Sequence, residues 1–408
     1  MKEIIQIKSC RICKSSELIE VINLGTQALT GVFPKSENDS IVSGPLVVAW
    51  CRQCDLLQLN HRYPPEEMYG ENYGYRSGLN QSMVDHLNGK ARQLSQLVNI
   101  KGGDAVLDIG SNDGTLLAAY DCKGLQRVGI DPTAKKFQEY YEEGIELIPE
   151  FFSASKLGGK KFDIITSISM FYDLEDPMLF VNDVKESLSS HGIWHFEQSY
   201  MPSMIRQNSY DTICHEHVEY YSLSPIAKML EDADLKIIDL KMNSINGGSF
   251  AVTACHKDAH NHQECDILEW LLQREEKSGY STPAPYREFE HKVFEHRESL
   301  KTLVCNINQR GKTIHIYGAS TKGNVLLQFC GFTQEDLPFA AEVNPYKFGR
   351  VTPGSNIPII SAEESRQMNP DYYLVLPWHF REGIIRNEKN FLLQGGNLIF
   401  PLPEIEII

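Results

Sequence analysis

Residues 104–120 read DAVLDIGSNDGTLLAAY. Ala105–Ile109 has the apolar make-up of a buried strand; a glycine-bearing turn, Gly110–Gly114, follows, and then a helical start. A second short apolar stretch, RVGID, ends in an acid, Asp131. This order is the first half of a doubly wound α/β sheet, whose ligand lies beyond the carboxyl ends of the strands. The two glycines do not fit G-x-G-x-x-G, and an acid, Asp108, stands two residues ahead of the turn. A pyrophosphate at a helix N-terminus is ill served by that negative charge. S-adenosylmethionine, with its sulfonium and ammonium, is well served by it. Asp108, Gly110, Ser111, Asn112, Gly114, Asp131 and Pro132 are therefore expected to bind this cofactor, Asp131 taking the ribose hydroxyls. A nucleotide-binding Rossmann domain is the competing reading.

Outward toward the N-terminus, apolar residues recur at helical spacing from Met83 to Val98. Before them runs a Tyr/Gly/Pro-rich stretch with Tyr69, Tyr73, Tyr75 and Arg76, either a linker or a loop over a pocket. Further out stand two C-x-x-C pairs, Cys10/Cys13 and Cys51/Cys54. Each can aim two thiolates at one ion, and two pairs complete the tetrahedral sulfur set that zinc prefers. Strand-like stretches fill the gap between them (LIEVINLG and PLVVAWC). Iron–sulfur ligation or two redox pairs compete with zinc. With four cysteines no position stays open for substrate, so the zinc would be structural.

Outward toward the C-terminus, KFDIITSISMFYDLEDP and HGIWHFEQSY read as the next strands with their loops. Residues 213–221, ICHEHVEYY, hold two histidines around a glutamate. They could bind metal, supply a general base, or be a polar edge of the core; the H-E-x-x-H spacing of a zinc helix is absent. Tyr220 and Tyr221 suit a core or a pocket wall. Asn246 and Gly247 lie in a stretch that is either a hairpin turn or a backbone approach to ligand. After Cys255 the chain turns polar and charged, as in a solvated link, and STPAPY opens a long amphipathic helix. KTIHIYGASTKGN is a second strand–turn–helix unit, with Ser320 and Lys322 placed to meet an anion such as a phosphate. His379 and Arg381 are further candidates for diphosphate contact.

The 408 residues suffice for two or three domains. A net charge of −15 argues against nucleic acid, which needs a cationic surface. No apolar run approaches the ~20 residues that span a bilayer. The start lacks the apolar core and cleavage site of a secretory leader, so a cytoplasmic protein is expected, with its ten cysteines as thiols or metal ligands.

The acid-lined turn resembles that of the class I methyltransferases. Together with the paired cysteines, CHEHVEYYS, GYGYRSG, INGGSF, IYGASTKGN and EVNPYKFGR, in that setting, the chain resembles the nucleotide-sugar C-methyltransferases that build branched-chain deoxysugars. The resemblance implies a monomer of three parts. A zinc-binding domain with its tyrosine-rich loop (1–75) would precede a Rossmann-like methyltransferase domain (76–255) and a C-terminal α/β domain that helps hold the nucleotide sugar (256–408). It implies methylation at C-3 of a nucleotide-linked 4-keto-6-deoxysugar. His217 would be the general base, Glu216 its orienting neighbour and Tyr75 a tyrosine at the sugar. Cys214, Tyr221, Asn246, Gly247, Ser320 and Lys322 would line the substrate site. Two positions depart from the family's pattern. Cys214 stands where relatives often have tyrosine, and FYDLEDP lacks the histidine of their corresponding loop, leaving Tyr172 or Asp173 in its place. O- or N-methylation, an NAD(P) oxidoreductase and an inactive zinc-ribbon interaction protein are the alternatives.

Overall fold

The computed structural model describes residues 4–36, 38–64, 68 and 76–408. Tyr69, Tyr73 and Tyr75 lie outside the described residues. Besides a two-residue pairing of Ile5–Gln6 with His61–Arg62, three strands build the N-terminal sheet: β1 (Leu18–Ala28), β2 (Ser43–Cys51) and β3 (Leu57–Leu59). They pair antiparallel in that order. Helix α1 (Gln81–Val98) follows, capped by the Asn80 side chain, which accepts from the Ser82 amide. Its buried stripe of Met83, Leu87, Ala91 and Leu94 has the spacing of one helical face.

Next come β4 (Ala105–Ile109), β5 (Gln126–Ile130), β6 (Ile145–Ile148), β7 (Phe162–Ile168), helix α2 (Pro177–Ser187) and β8 (Leu188–Ser199). A two-residue strand, β9 (Glu219–Tyr220), helix α3 (Leu223–Asp232), β10 (Leu235–Asn243) and β11 (Ser249–His256) complete this region. Apart from β9, its strands form one seven-stranded sheet in the order β10-β11-β8-β7-β4-β5-β6. The pairs from β6 through to β8 are parallel, whereas β11 runs antiparallel to both β8 and β10. Every residue of β4 is buried, as expected of a parallel strand covered on both faces. The chain reverses direction of growth between β4 and β7, which opens a crevice at their carboxyl ends.

Residues beyond Cys255 differ from the expected solvated link. Leu268–Lys277 forms helix α4, and its Leu268, Leu271 and Leu272 pack on the core of the seven-stranded sheet. Glu275 is buried there and accepts from the Tyr200 hydroxyl at 2.6 Å and the Leu223 and Ser224 amides at 2.7 and 3.0 Å. An apolar stripe only one helix face wide is easily lost among so many charges. Helix α5 (Ala284–Gln309) then leads to β12 (Ile314–Tyr317), α6 (Thr321–Cys330), β13 (Ala340–Glu342), β14 (Ile359–Ser361), β15 (Tyr372–Val375), β16 (Asn397–Phe400) and β17 (Glu406–Ile407). These make a six-stranded sheet, β14-β13-β12-β15-β16-β17, parallel except at its last pair.

The N-terminal and C-terminal parts share one core, which holds Ile22, Val48 and Trp50 together with Phe289 of α5, Ile314 and Leu374. Side chains of α6 tie the end of β1. The Gln328 amide group accepts from the Ala28 N–H at 2.7 Å and donates to the Ala28 carbonyl at 3.2 Å. Buried Asn324 donates to the Thr30 carbonyl at 2.8 Å. Among the described residues no helix is long and apolar enough to cross a membrane. Asn324→Ala leaves the Thr30 carbonyl without its donor and is expected to cost about 1–3 kcal/mol. A lower urea midpoint, read by tryptophan fluorescence, checks this; an unchanged midpoint would remove the tie from the account.

Candidate active site

The acid-lined turn sits at the crevice. Asp108, in β4, is buried and accepts from the Thr166 hydroxyl of β7 at 2.6 Å. Burial raises its carboxyl to about 7, against the opposing Thr166 bond. Asp131 follows β5 and accepts from the Asn112 amide at 2.8 Å and from the Thr133 amide and hydroxyl at 2.6 and 2.7 Å. Gly110 has φ of +75°, and a Cβ there would lie 2.9 Å from Met170 Cγ, so glycine is required where the turn meets the loop after β7. Ser111 bonds the Tyr141 hydroxyl at 2.8 Å, and Asn112 accepts from the Ser77 amide at 2.9 Å. Asp108, Gly110, Ser111, Asn112, Gly114, Asp131 and Pro132 thus gather at the ends of two adjacent parallel strands. Two acids and a tight backbone turn suit a cationic cofactor with a ribose.

Glu197, at the carboxyl end of β8, escaped the sequence reading. It is fully buried and bonds His86 at 2.6 Å, Lys90 at 2.7 Å and Asn243 at 2.8 Å. Burial alone would raise its carboxyl, but the His86 bond and the Lys90 charge hold it at about 2. The signal was present as a glutamate inside an apolar strand, with His86 and Lys90 one helical turn apart.

The HEH stretch lies between the seven-stranded sheet and the N-terminal sheet, because β9 pairs with β3. The three residues point three ways. His217 Nδ1 donates to the Thr212 carbonyl at 2.9 Å, which leaves Nε2 with the lone pair. Its ring meets Tyr172 edge-on at 4.4 Å, and both line a small cavity with Ser199, Thr212, Glu219 and Tyr220. Burial and then the Lys322 charge lower the imidazole to about 3, so it is neutral at working pH. Glu216 does not orient this ring. Its carboxylate turns to the N-terminal part, accepting from the Gly31 amide at 3.0 Å and the Thr30 hydroxyl at 3.2 Å. A Cβ at Gly31 would stand 2.5 Å from that carboxylate. His215 is buried edge-on against Tyr63 at 4.6 Å.

Other expected substrate residues divide. Cys214 is wholly buried in the shared core, where burial pushes its thiol well up, as in an unreactive structural cysteine. Tyr221 is likewise in the core, stacked on Phe171 at 5.4 Å with its hydroxyl donating to Glu219 at 2.7 Å; Tyr220 lines the cavity instead. Asn246 and Gly247 do form the turn between β10 and β11, and Lys322 reaches from α6 to donate to the Asn246 carbonyl at 3.2 Å. Ser320 caps α6 by accepting from the Gly323 amide at 3.0 Å, and the Ala319 amide donates to Glu342 at 3.1 Å. The turn that resembled an anion cradle is thus filled by the protein's own groups. Lys322 instead faces the reaction side, its charge acting on His217, Asp211, Cys214 and His379. Arg381 is paired with Glu406 at 2.7 Å.

The four cysteines meet. Cys10 and Cys54 sulfurs lie 3.5 Å apart, as do those of Cys13 and Cys51, and all four fall within 4.8 Å of one another. Tetrahedral zinc with Zn–S of about 2.3 Å places sulfurs about 3.8 Å apart, so the set fits. Zinc bound there supplies a cross-link between the two turns and keeps no position for a substrate.

A seven-stranded sheet with an antiparallel strand second from one edge, and an acid-lined turn after its first strand, define a class I S-adenosylmethionine-dependent methyltransferase. Family models agree along the chain: a zinc binding domain over residues 10–69, a methyltransferase domain over 84–240 and a C-methyltransferase C-terminal domain over 244–403. The chain is 31% identical to the C-methyltransferase NovU of Streptomyces niveus across 418 residues, which takes in 100% of this chain and 99% of that one. It belongs to this C-methyltransferase family, and its cofactors are S-adenosylmethionine and zinc. Among solved structures, an O-methyltransferase family protein from Burkholderia thailandensis matches 48% of this chain and 64% of its own at 16% identity and a TM-score of 0.37. The 1,6-didemethyltoxoflavin N1-methyltransferase of the same organism, solved with S-adenosylhomocysteine, matches 42% and 78% at 14% identity and a TM-score of 0.34.

Because Asp108 titrates at about 7 in the free protein, a cation beside it binds best to the ionised form. S-adenosylmethionine affinity is expected to fall as pH drops below about 7, by up to about tenfold per unit. Asp108→Asn should weaken binding and abolish the pH dependence. Calorimetric titration from pH 6 to 8 checks both, and a flat profile in the unaltered protein would count against the role given to Asp108.

Proposed function

We propose that the enzyme methylates C-3 of a nucleotide-linked 4-keto-6-deoxysugar, with His217 as the base. The observation that carries this reading is the state of His217. Its Nδ1–H is held by the Thr212 carbonyl, and its ring is kept neutral by burial and by a nearby ammonium. The lone pair on Nε2 is therefore available at neutral pH. A carbon beside a ketone is acidic enough for such a base, because the electron pair left by the proton spreads onto the carbonyl oxygen. As Nε2 takes the proton, the weak basicity of the buried imidazole is offset by the negative charge forming next to it. Lys322 stands ready to balance that charge, and burial with few partners keeps its ammonium reactive to a new anion. S-adenosylmethionine, when bound, supplies the electrophilic methyl group that the enolate carbon takes up. Of Tyr172 and Asp173, the reading takes Tyr172 as the stand-in for the missing histidine, supported by its edge-on contact with His217. Tyr75 completes the reading as a tyrosine at the sugar, and the C-terminal domain as the nucleotide's support.

Incubation with S-adenosylmethionine and a panel of nucleotide 4-keto sugars, followed by mass spectrometry, tests the acceptor. A methylated product that survives mild acid supports carbon; release of methanol would indicate oxygen and end the C-3 reading. His217→Asn should lower turnover by about 10²–10⁴-fold at unchanged S-adenosylmethionine affinity. Near-normal turnover in that variant would sink the base. Since His217 lies at about 3, the rate should hold steady through pH 6.5, where an ordinary histidine would protonate. Lys322→Met removes a charge that lowers the imidazole, so its acid limb should move to higher pH, and turnover should fall.

A further inference from the structure

Arg11 lies inside the first cysteine turn, between Cys10 and Cys13, yet its side chain is buried and makes no contact with solvent-facing partners alone. One guanidinium nitrogen donates to the Leu59 carbonyl at 2.6 Å and to Gln58 Oε1 at 3.4 Å; the other terminal nitrogen donates to the His61 carbonyl at 3.1 Å. Gln58 Oε1 also accepts from the Arg11 amide at 3.1 Å. These bonds fix β3, the strand that leaves the second cysteine turn and pairs with β9: Gln58 faces Glu219, Leu57 faces Tyr220, and the Leu59 amide donates to the Val218 carbonyl at 2.8 Å. His217 is the residue just before that rung. The remaining guanidinium N–H goes elsewhere, from Nε to Glu175 at 3.3 Å. Glu175 belongs to the loop after β7 that carries Tyr172, whose ring rests against His217. Arg62 Nε donates to the same Glu175 oxygen at 2.9 Å, so Arg11 shares that carboxylate, and from within the metal-binding turn it reaches both walls of the cavity around His217.

We propose that Arg11 is a positioning residue that couples the zinc turn to the catalytic centre, setting His217 through β3 and β9 and Tyr172 through Glu175. Zinc then has a task beyond holding the N-terminal part together. It fixes the base of a lever whose far end is the imidazole. A lysine could not replace the arginine, because one ammonium cannot reach two backbone carbonyls, an amide oxygen and a carboxylate in a planar fork.

The test uses the full-length zinc-loaded enzyme and its Arg11→Gln, Arg11→Lys and Glu175→Gln variants. Zinc content and S-adenosylmethionine affinity are measured beside hydrogen exchange of residues 171–177 and 213–221. Arg11→Gln should keep its zinc and its cofactor affinity while exchange in both segments rises at least tenfold, with exchange in β4 and β7 unchanged. Arg11→Lys should give no rescue. Glu175→Gln should loosen 171–177 alone. With an acceptor sugar, kcat should fall more than KM changes. Zinc removal by chelation from the unaltered enzyme should loosen the same two segments. Unchanged exchange at 213–221 in Arg11→Gln would overturn the proposal. So would a rise spread evenly over β4 and β7, or loss of zinc in Arg11→Gln together with an unaltered Glu175→Gln. The exchange, zinc and cofactor readouts need no acceptor, so they stand whether or not the sugar assignment does.

Discussion

The antiparallel pairing of Leu57–Leu59 with Val218–Tyr220 is the constraint on which the rest of the enzyme depends. It is only a few hydrogen bonds long, but it makes the strand after His217 the edge of a sheet that belongs to another part of the chain. A two-residue strand has no independent stability. Its position is therefore borrowed from the N-terminal sheet, and the imidazole inherits the rigidity of a metal-clamped fold. The cofactor turn, by contrast, is built at the ends of β4, β5 and β7, with the Ser77 amide and the Tyr141 hydroxyl bonded to it. The cofactor turn belongs to one layer, His217 to a seam between two.

Charge is distributed along the same division. On the cofactor side two acids, one of them raised by burial, await a cation. On the acceptor side a neutral histidine stands near a buried ammonium, with Asp211 and Cys214 around it. Under the reading proposed above, the negative charge of proton removal develops beside Lys322, whose charge already acts on His217.

Much of this was legible in the residues. A buried strand apolar but for Asp108, a glycine turn and a second strand ending in Asp131 pointed to the parallel sheet, because burial on both faces leaves little freedom in composition. The paired C-x-x-C turns gave the sulfur cluster, because thiolates at that spacing have few other uses. What stayed hidden was direction. Glu216 and His217 are adjacent in sequence but face opposite parts of the molecule, and adjacency had suggested cooperation. Tyr221, expected at the substrate, lies in the core, and its neighbour Tyr220 lines the cavity instead. Helix α4 was concealed by charge, and the role of Lys322 by a local turn whose anion site is filled from within by Glu342 and Ser320. Long-range partners, Arg11 with Glu175 above all, leave no periodic trace in a sequence.

The Gln328 amide group that brackets Ala28 gives the end of β1 both a donor and an acceptor, as a neighbouring strand would. Glu216 on Gly31 does something similar from the middle of the chain. Three family models lie end to end along this sequence, and these two contacts join the first stretch to the other two. A recombination event that replaced the cysteine-bearing segment with a relative's would carry over one half of each pair and leave the other behind.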